Sequence, residues 1–140
     1  MQQYSKNVIA FEPIPQLAER LQKYAFYNPR ITIYNVGLSD KPDKIDLHIP
    51  YNNDELNMGE ATFSKTNEHC YVIPNIDVKT LDSYSFKNVK LIKIDVENHE
   101  IKTITGAKEL IKDQHPTLIV EISTRQLKRN IEDPEKKLKM

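Results

Sequence analysis

The chain has 140 residues, a length typical of one domain that is large enough to bury a substantial hydrophobic core. Its 20 acidic residues balance its 20 basic residues, so it lacks the basic excess on which many nucleic-acid-binding proteins rely. The single cysteine, Cys70, excludes an intrachain disulfide and a cysteine-rich zinc site.

Apolar segments long enough for a membrane are absent from the sequence, since no run approaches the roughly 20 residues of a membrane span. Residues 1–7 lack the apolar core of a signal peptide. We therefore expect one cytoplasmic domain over residues 1–140, with no bound metal and no nucleic-acid or membrane partner.

The first third of the chain predicts a strand, a helix and a second strand. Val8–Phe11 is a short apolar run typical of a buried strand. Pro15 suits the first turn of a helix, apolar residues recur at helical spacing over residues 17–25, and the helix should end near Asn28. Residues 31–34 alternate between apolar and polar side chains. This βαβ order predicts parallel pairing of the two strands.

The middle of the chain predicts an antiparallel insertion at about residues 44–78. Residues 44–49 alternate in the manner of a strand with one solvated face. Residues 51–67 are polar and irregular and predict a long loop, and long loops in compact domains are usually functional or mobile. Residues 69–78 predict another strand, and Pro74 indicates that it is broken or lies at an edge.

The βαβ order resumes in the last third, after a short helix or turn at residues 80–84. Residues 91–95 predict a strand, residues 99–112 one amphipathic helix and residues 117–122 a further strand. Residues 123–140 are strongly charged and predict at most one short helix. The pattern as a whole predicts an α/β fold with a mostly parallel, Rossmann-like sheet and flanking helices.

Carboxylates follow two of the predicted buried strands directly. Glu12 comes after the first strand, and Asp95 ends the strand at residues 91–95. Ligands of open α/β sheets bind beyond the carboxyl ends of the strands, where a carboxylate suits the hydroxyl donors of a ribose. Taken singly, Glu12 is more typical of a solvated turn, and Asp95 equally suits a helix N-cap.

Several sequence blocks, in this order, resemble the FkbM family of S-adenosylmethionine-dependent methyltransferases. They are Ala10-Phe-Glu-Pro, Asn35-Val-Gly-Leu-Ser-Asp, Thr80-Leu-Asp, Leu91-Ile-Lys-Ile-Asp-Val-Glu-Asn-His-Glu, Gly106-Ala and Pro116-Thr-Leu-Ile-Val-Glu. The resemblance runs from about Val8 to Glu121, and the Ile-Asp-Val-Glu-x-His-Glu block is its most distinctive part.

The resemblance implies a Rossmann-like domain that binds S-adenosylmethionine and methylates a hydroxyl group of a sugar, a glycan or another small molecule. Glu12 would be the ribose-binding acid. Ser39, Asp40 and Asp95 would complete the cofactor site.

The resemblance also implies a catalytic group at the mouth of the acceptor pocket. Asp95, Glu97 and His99 would form it, and either Asp95 or His99 would take the proton of the acceptor hydroxyl. The ordinary pKa of histidine suits that task. His99 equally suits a partly exposed polar position at the start of a helix.

Two features depart from the family pattern. Asn98 stands where the motif usually has glycine, and asparagine tolerates the left-handed backbone that such a turn needs. Only seven residues, none of them glycine, precede Val8. We therefore expect the domain to be incomplete at its N-terminus, without the first strand and the Gly-rich loop of the family fold.

Two other functions stay open at this point. A truncated domain would expose apolar sheet edges, so the chain would act as an inactive binding module or a homo-oligomer that pairs through those edges. A metal-dependent hydrolase would instead use Asp95, Glu97 and His99 as ligands, although Asp95 is expected on the strand rather than on the helix.

Overall fold

Two parallel strand pairs and a mixed, mostly antiparallel sheet form a mixed α/β fold in the computed structural model, which describes residues 7–65 and 69–121. The elements are β1 (Val8–Phe11), α1 (Pro15–Ala25), β2 (Ile31–Tyr34), β3 (Gly37–Leu38), β4 (Asp43–Asn52), β5 (Glu55–Leu56), β6 (Cys70–Lys79), β7 (Leu91–Ile94), α2 (Glu100–Thr105), α3 (Lys108–Gln114) and β8 (Thr117–Val120). Short 3₁₀ helices lie at Met58–Glu60 and Leu81–Tyr84. No helix in the described part of the chain is long and apolar enough to cross a membrane.

The parallel strands form two separate pairs. β1 pairs with β2 along its whole length, and β7 pairs with β8 in the same way. The prediction of parallel pairing is confirmed for both βαβ segments. Within the described ranges, however, no hydrogen bonds join the two pairs into the single Rossmann-like sheet that the sequence predicts.

The predicted antiparallel insertion is confirmed, because β6, β4 and β5 pair antiparallel in this order. The short strand β3 extends the sheet by pairing parallel with β6. β4 and β6 pair from Asp43 opposite Val78 to Pro50 opposite Cys70. Pro74 does not break β6, because the register shifts between Ile45 and Leu47 and leaves room for an extra residue.

A polar contact stabilises that irregularity in the ladder. Asn75 has a left-handed backbone with a φ of 57°, and its N–H donates to the Asp46 carboxylate at 3.0 Å. The proline therefore lies in a bulge, where the lack of an N–H costs no regular ladder bond.

The predicted long loop contains regular structure. β5 pairs with the end of β4 through a tight turn in which Asn53 and Asp54 both have positive φ. Thr62 pairs with His48 as an isolated bridge. Residues 66–68 of this loop, Ile122 of the last predicted strand and the predicted helix within residues 123–140 lie outside the described residues.

The single helix predicted over residues 99–112 is divided into α2 and α3. At the division Gly106 lies so close to the chain after β3 that a Cβ on it would overlap the Ser39 carbonyl oxygen. The Asp82 carboxylate accepts the N–H groups of Glu109 and Leu110 at 3.1 and 2.9 Å. It thereby starts α3 as a new helix, because first-turn N–H groups need an acceptor outside the helix.

Buried apolar side chains form two clusters. Ile14, Leu47 and Ile49 join the start of α1 to β4. Leu81, Ala107 and Leu110 form the second cluster, against which Phe11 of β1 and Ile92 of β7 pack.

We expect Gly106→Ala to lower the free energy of unfolding by about 1–3 kcal/mol or more, because the added methyl group must displace the Ser39 backbone. Urea denaturation measures this loss. Gly59→Ala is the matched control, since its nearest atom would lie 3.5 Å away. Equal stability of the two variants would contradict the proposed close contact.

Candidate functional site

A cavity of about 300 Å³ lies where the carboxyl ends of β1 and β7 approach each other. Its walls are formed by Leu47 and by some of the residues of four segments, 11–17, 36–38, 58–63 and 95–97. Apart from three carboxylates, the lining side chains are apolar. This volume lies at the lower limit of the range typical of small-molecule sites.

Glu12 is held at the end of β1 by contacts on both sides. Its Oε1 accepts the N–H of Ile14 at 2.8 Å, and its backbone carbonyl accepts the Asn35 side-chain amide at 2.9 Å. Burial raises the pKa of the Glu12 carboxyl, and the bond from Ile14 opposes that rise. The residue thus lies at the strand end that the sequence predicts, and its side chain lines the cavity.

Residues 95–98, which we call the acidic turn, connect β7 to α2 with an unusual backbone. Glu97 and Asn98 have φ angles of 45° and 71°, so both occupy the left-handed region. The left-handed turn expected at Asn98 is confirmed, whereas that of Glu97 was not foreseen. Such strained non-glycine residues cost about 1–3 kcal/mol each and cluster at functional sites.

The carboxylates of the acidic turn lie in different electrostatic surroundings. Asp95 is paired with Lys93, whose Nζ lies 2.5 Å from Oδ2, and both side chains remain partly exposed. Burial raises the pKa of Glu97, and the negative charge of Asp95 raises it further. Asp95 does not cap α2, because His99 occupies that position, so the N-cap interpretation of Asp95 is wrong.

His99 is buried with only 3% of its surface exposed, so it is not the partly exposed residue that the sequence allowed. Its Nε2 lies 3.0 Å from the Ser39 hydroxyl, which donates to the Asp40 carboxylate at 2.9 Å. His99 must therefore donate through Nε2. Burial lowers the pKa of His99 to about 4, and the ring is neutral at pH 7.

The structure thus divides the predicted site residues into two groups. Glu12, Asp95 and Glu97 line the cavity. Ser39, Asp40 and His99 are joined to each other beside α2 and are not among the residues that line it.

Of the second group, His99 lies directly behind the cavity wall. The ring of Phe63, which lines the cavity, has its centroid 5.3 Å from that of His99.

The metal-site alternative finds no support in the described residues, among which no three histidine, cysteine or acidic residues are arranged to hold an ion. Asp95 is paired with Lys93, and His99 faces Ser39 rather than the acidic turn.

Thr62 and Ser64 are contacts of the acidic turn that sequence reasoning missed. The Thr62 hydroxyl donates to the carbonyl of Glu97, and the Ser64 hydroxyl donates to that of Asn98 at 3.2 Å. Both lie in the segment interpreted as a loop, where isolated hydroxyls carry no recognisable spacing.

The fold and the strand-end carboxylates define a mixed α/β domain with a candidate ligand site at one cavity, and comparison with known proteins identifies the family. The chain belongs to the methyltransferase FkbM family, whose domain model matches residues 1–135. The resemblance inferred from the sequence blocks is thereby confirmed.

A solved structure shares this fold. The chain is similar to the methyltransferase FkbM from Methylobacillus flagellatus KT, with 21% sequence identity and a TM-score of 0.56. The similarity covers 87% of this chain and 27% of that protein, so the chain spans about a quarter of its length. No curated protein matches the sequence.

Stability should depend on pH through His99. Since its pKa is about 4 in the fold against an ordinary 6.5, the folded state prefers the neutral ring. This contribution is complete above pH 6.5 and is lost as the pH falls towards 4, by about 2–3 kcal/mol. Urea denaturation from pH 7 to pH 4 should show this fall, and His99→Gln should reduce it. The exposed His115→Asn variant is the control, and an unchanged pH dependence in His99→Gln would refute the assignment.

Proposed function

We propose that the domain transfers a methyl group from S-adenosylmethionine to a hydroxyl group of a sugar or another small molecule. The observation that carries this proposal is the meeting of the strand-end carboxylates Glu12, Asp95 and Glu97 at one cavity. Membership of the methyltransferase FkbM family supports the reaction class. In such a reaction the cofactor would supply a methyl group on a sulfonium sulfur. An aligned acceptor oxygen would bond to the methyl carbon as the carbon–sulfur bond breaks and S-adenosylhomocysteine leaves, and a base would take the hydroxyl proton.

The donor set fits the ribose end of this cofactor. A carboxylate offers about four acceptor positions, and Glu12 uses one oxygen for the Ile14 N–H. Its remaining capacity suits two neighbouring hydroxyl groups. Ser39 and Asp40, which the family resemblance also assigns to the cofactor, would support this site from behind the wall.

The chemistry of the lining favours an uncharged hydroxyl acceptor. Among the described residues that line the cavity, the ionisable side chains are Glu12, Asp95 and Glu97, and all are acidic. Carboxylates accept hydrogen bonds from hydroxyl groups and repel phosphate or carboxylate groups. The apolar walls, including Met58 and Phe63, would pack on the carbon face of a sugar ring or a similar scaffold.

Glu97 is the proposed base, and Asp95 and His99 support it. The raised pKa of Glu97 brings the carboxyl closer to neutral pH, where a general base is most effective. Asp95 keeps that pKa high through its charge and would orient the acceptor. His99, whose Nε2 is engaged by Ser39, would fix the start of α2 rather than take the proton itself.

A second candidate function follows from the strand edges. β1 and β7 each lack a ladder partner on one side within the described ranges, and such edges invite pairing with another chain. The domain would then act as a binding or oligomerising module, with a second copy of the chain as partner. Sedimentation of the purified chain should show a homo-oligomer, and a monodisperse monomer would exclude this form of the proposal.

Calorimetric titration with S-adenosylhomocysteine tests the cofactor site. Glu12→Gln should weaken binding about tenfold or more, because a charged acceptor of two hydroxyl groups is replaced by a neutral amide. Glu19→Gln in α1 is the control and should leave the affinity unchanged. If Glu12→Gln binds as tightly as Glu19→Gln and the wild type, Glu12 does not contact the cofactor. No binding by the wild-type chain would favour the module over the enzyme.

A further inference from the structure

The acidic turn is held from a distant part of the chain. Thr62 and Ser64 lie in the connection between β4 and β6, yet their hydroxyls donate to the carbonyls of Glu97 and Asn98, 35 and 34 residues away. Those carbonyls belong to the two left-handed residues of the turn. The two bonds therefore stabilise the peptide groups whose orientation defines the turn.

The Thr62 side chain has a fixed direction. Its backbone N–H and carbonyl both bond to His48 of β4 at 2.9 Å. Its hydroxyl oxygen accepts the N–H of Ser64 at 3.0 Å, so the hydroxyl hydrogen is free to donate to Glu97. Thr62 thus links β4 rigidly to the acidic turn.

The same connection forms one wall of the cavity. Met58, Gly59, Ala61 and Phe63 line it, and Thr62 lies between the last two. A ligand that displaces this wall therefore acts on Thr62 and, through it, on Glu97. The wall and the backbone that carries the Glu97 carboxylate are parts of one hydrogen-bonded unit.

We propose that Thr62 and Ser64 are positioning residues that hold the Glu97 carboxyl at the cavity and couple it to the apolar wall at residues 58–63. That the wall contacts an acceptor rests on the proposed function. The two hydrogen bonds from Thr62 and Ser64 to the acidic turn, which we call the clamp, do not depend on that function. Without the clamp, Glu97 would turn towards solvent, and its pKa would return towards the ordinary value because burial is what raises it most.

Thr62→Val is the main variant, because it removes the hydroxyl and keeps the branched shape. Thr62→Ser restores the donor. Thr105→Val is the matched control, since the Thr105 hydroxyl also donates to a backbone carbonyl, that of Ile101 at 2.7 Å, but on the exposed side of α2. All variants are studied as the full chain.

Carbon-13 NMR titration of the Glu97 carboxyl is the measurement. Its midpoint should fall by about half a pH unit or more in Thr62→Val and should stay at the wild-type value in Thr62→Ser and Thr105→Val. An unchanged midpoint in Thr62→Val would overturn the proposal. If Thr62→Val does not fold, Ser64→Ala removes the second bond alone, and an unchanged midpoint there has the same meaning.

Calorimetry with S-adenosylhomocysteine on the same samples separates this proposal from the proposed function. A Glu97 midpoint that falls in Thr62→Val, together with no binding of S-adenosylhomocysteine by the wild-type chain, would support the clamp and contradict the enzyme. Binding of S-adenosylhomocysteine by the wild-type chain, together with an unshifted Glu97 midpoint in Thr62→Val, would support the enzyme and contradict the clamp.

Discussion

The close contact of α2 with the chain after β3 is the constraint on which the candidate site depends. Gly106 admits no side chain against the Ser39 carbonyl, the Thr103 hydroxyl donates to the Leu38 carbonyl at 3.2 Å, and His99 bonds to the Ser39 hydroxyl. These residues recur at helical spacing, so one face of α2 lies on one short segment. Since α2 follows the acidic turn directly, this contact also fixes the end of the turn that leads into the helix.

Charge and backbone strain are concentrated at the cavity. The carboxyls of Glu12 and Glu97 are partly buried with raised pKa, and Glu97 and Asn98 have left-handed backbones. Each of these features opposes folding, so the contacts made by Thr62, Ser64 and Ser39 must offset them. A region that holds unfavourable features in place in this way is typical of a site shaped for binding or catalysis.

The division of the parallel strands β1, β2, β7 and β8 into two pairs has two consequences, a shared cavity and free strand edges. The carboxyl ends of β1 and β7 share a cavity, while each of these two strands has a free edge in the described part of the chain. The similar methyltransferase FkbM structure is almost four times as long as the portion that this chain matches.

Local patterns determined much of this protein. Periodicity and turn residues predicted β1, α1, β2, β7 and β8, and the ordered blocks around Glu12 and Asp95 identified the family, because those signals lie within a few neighbouring residues. Tertiary structure alone decided the break at Gly106, the bulge after Pro74, the burial of His99 and the clamp from Thr62. Each of these depends on partners 27 to 67 residues away, and one chain carries no local signal of such contacts.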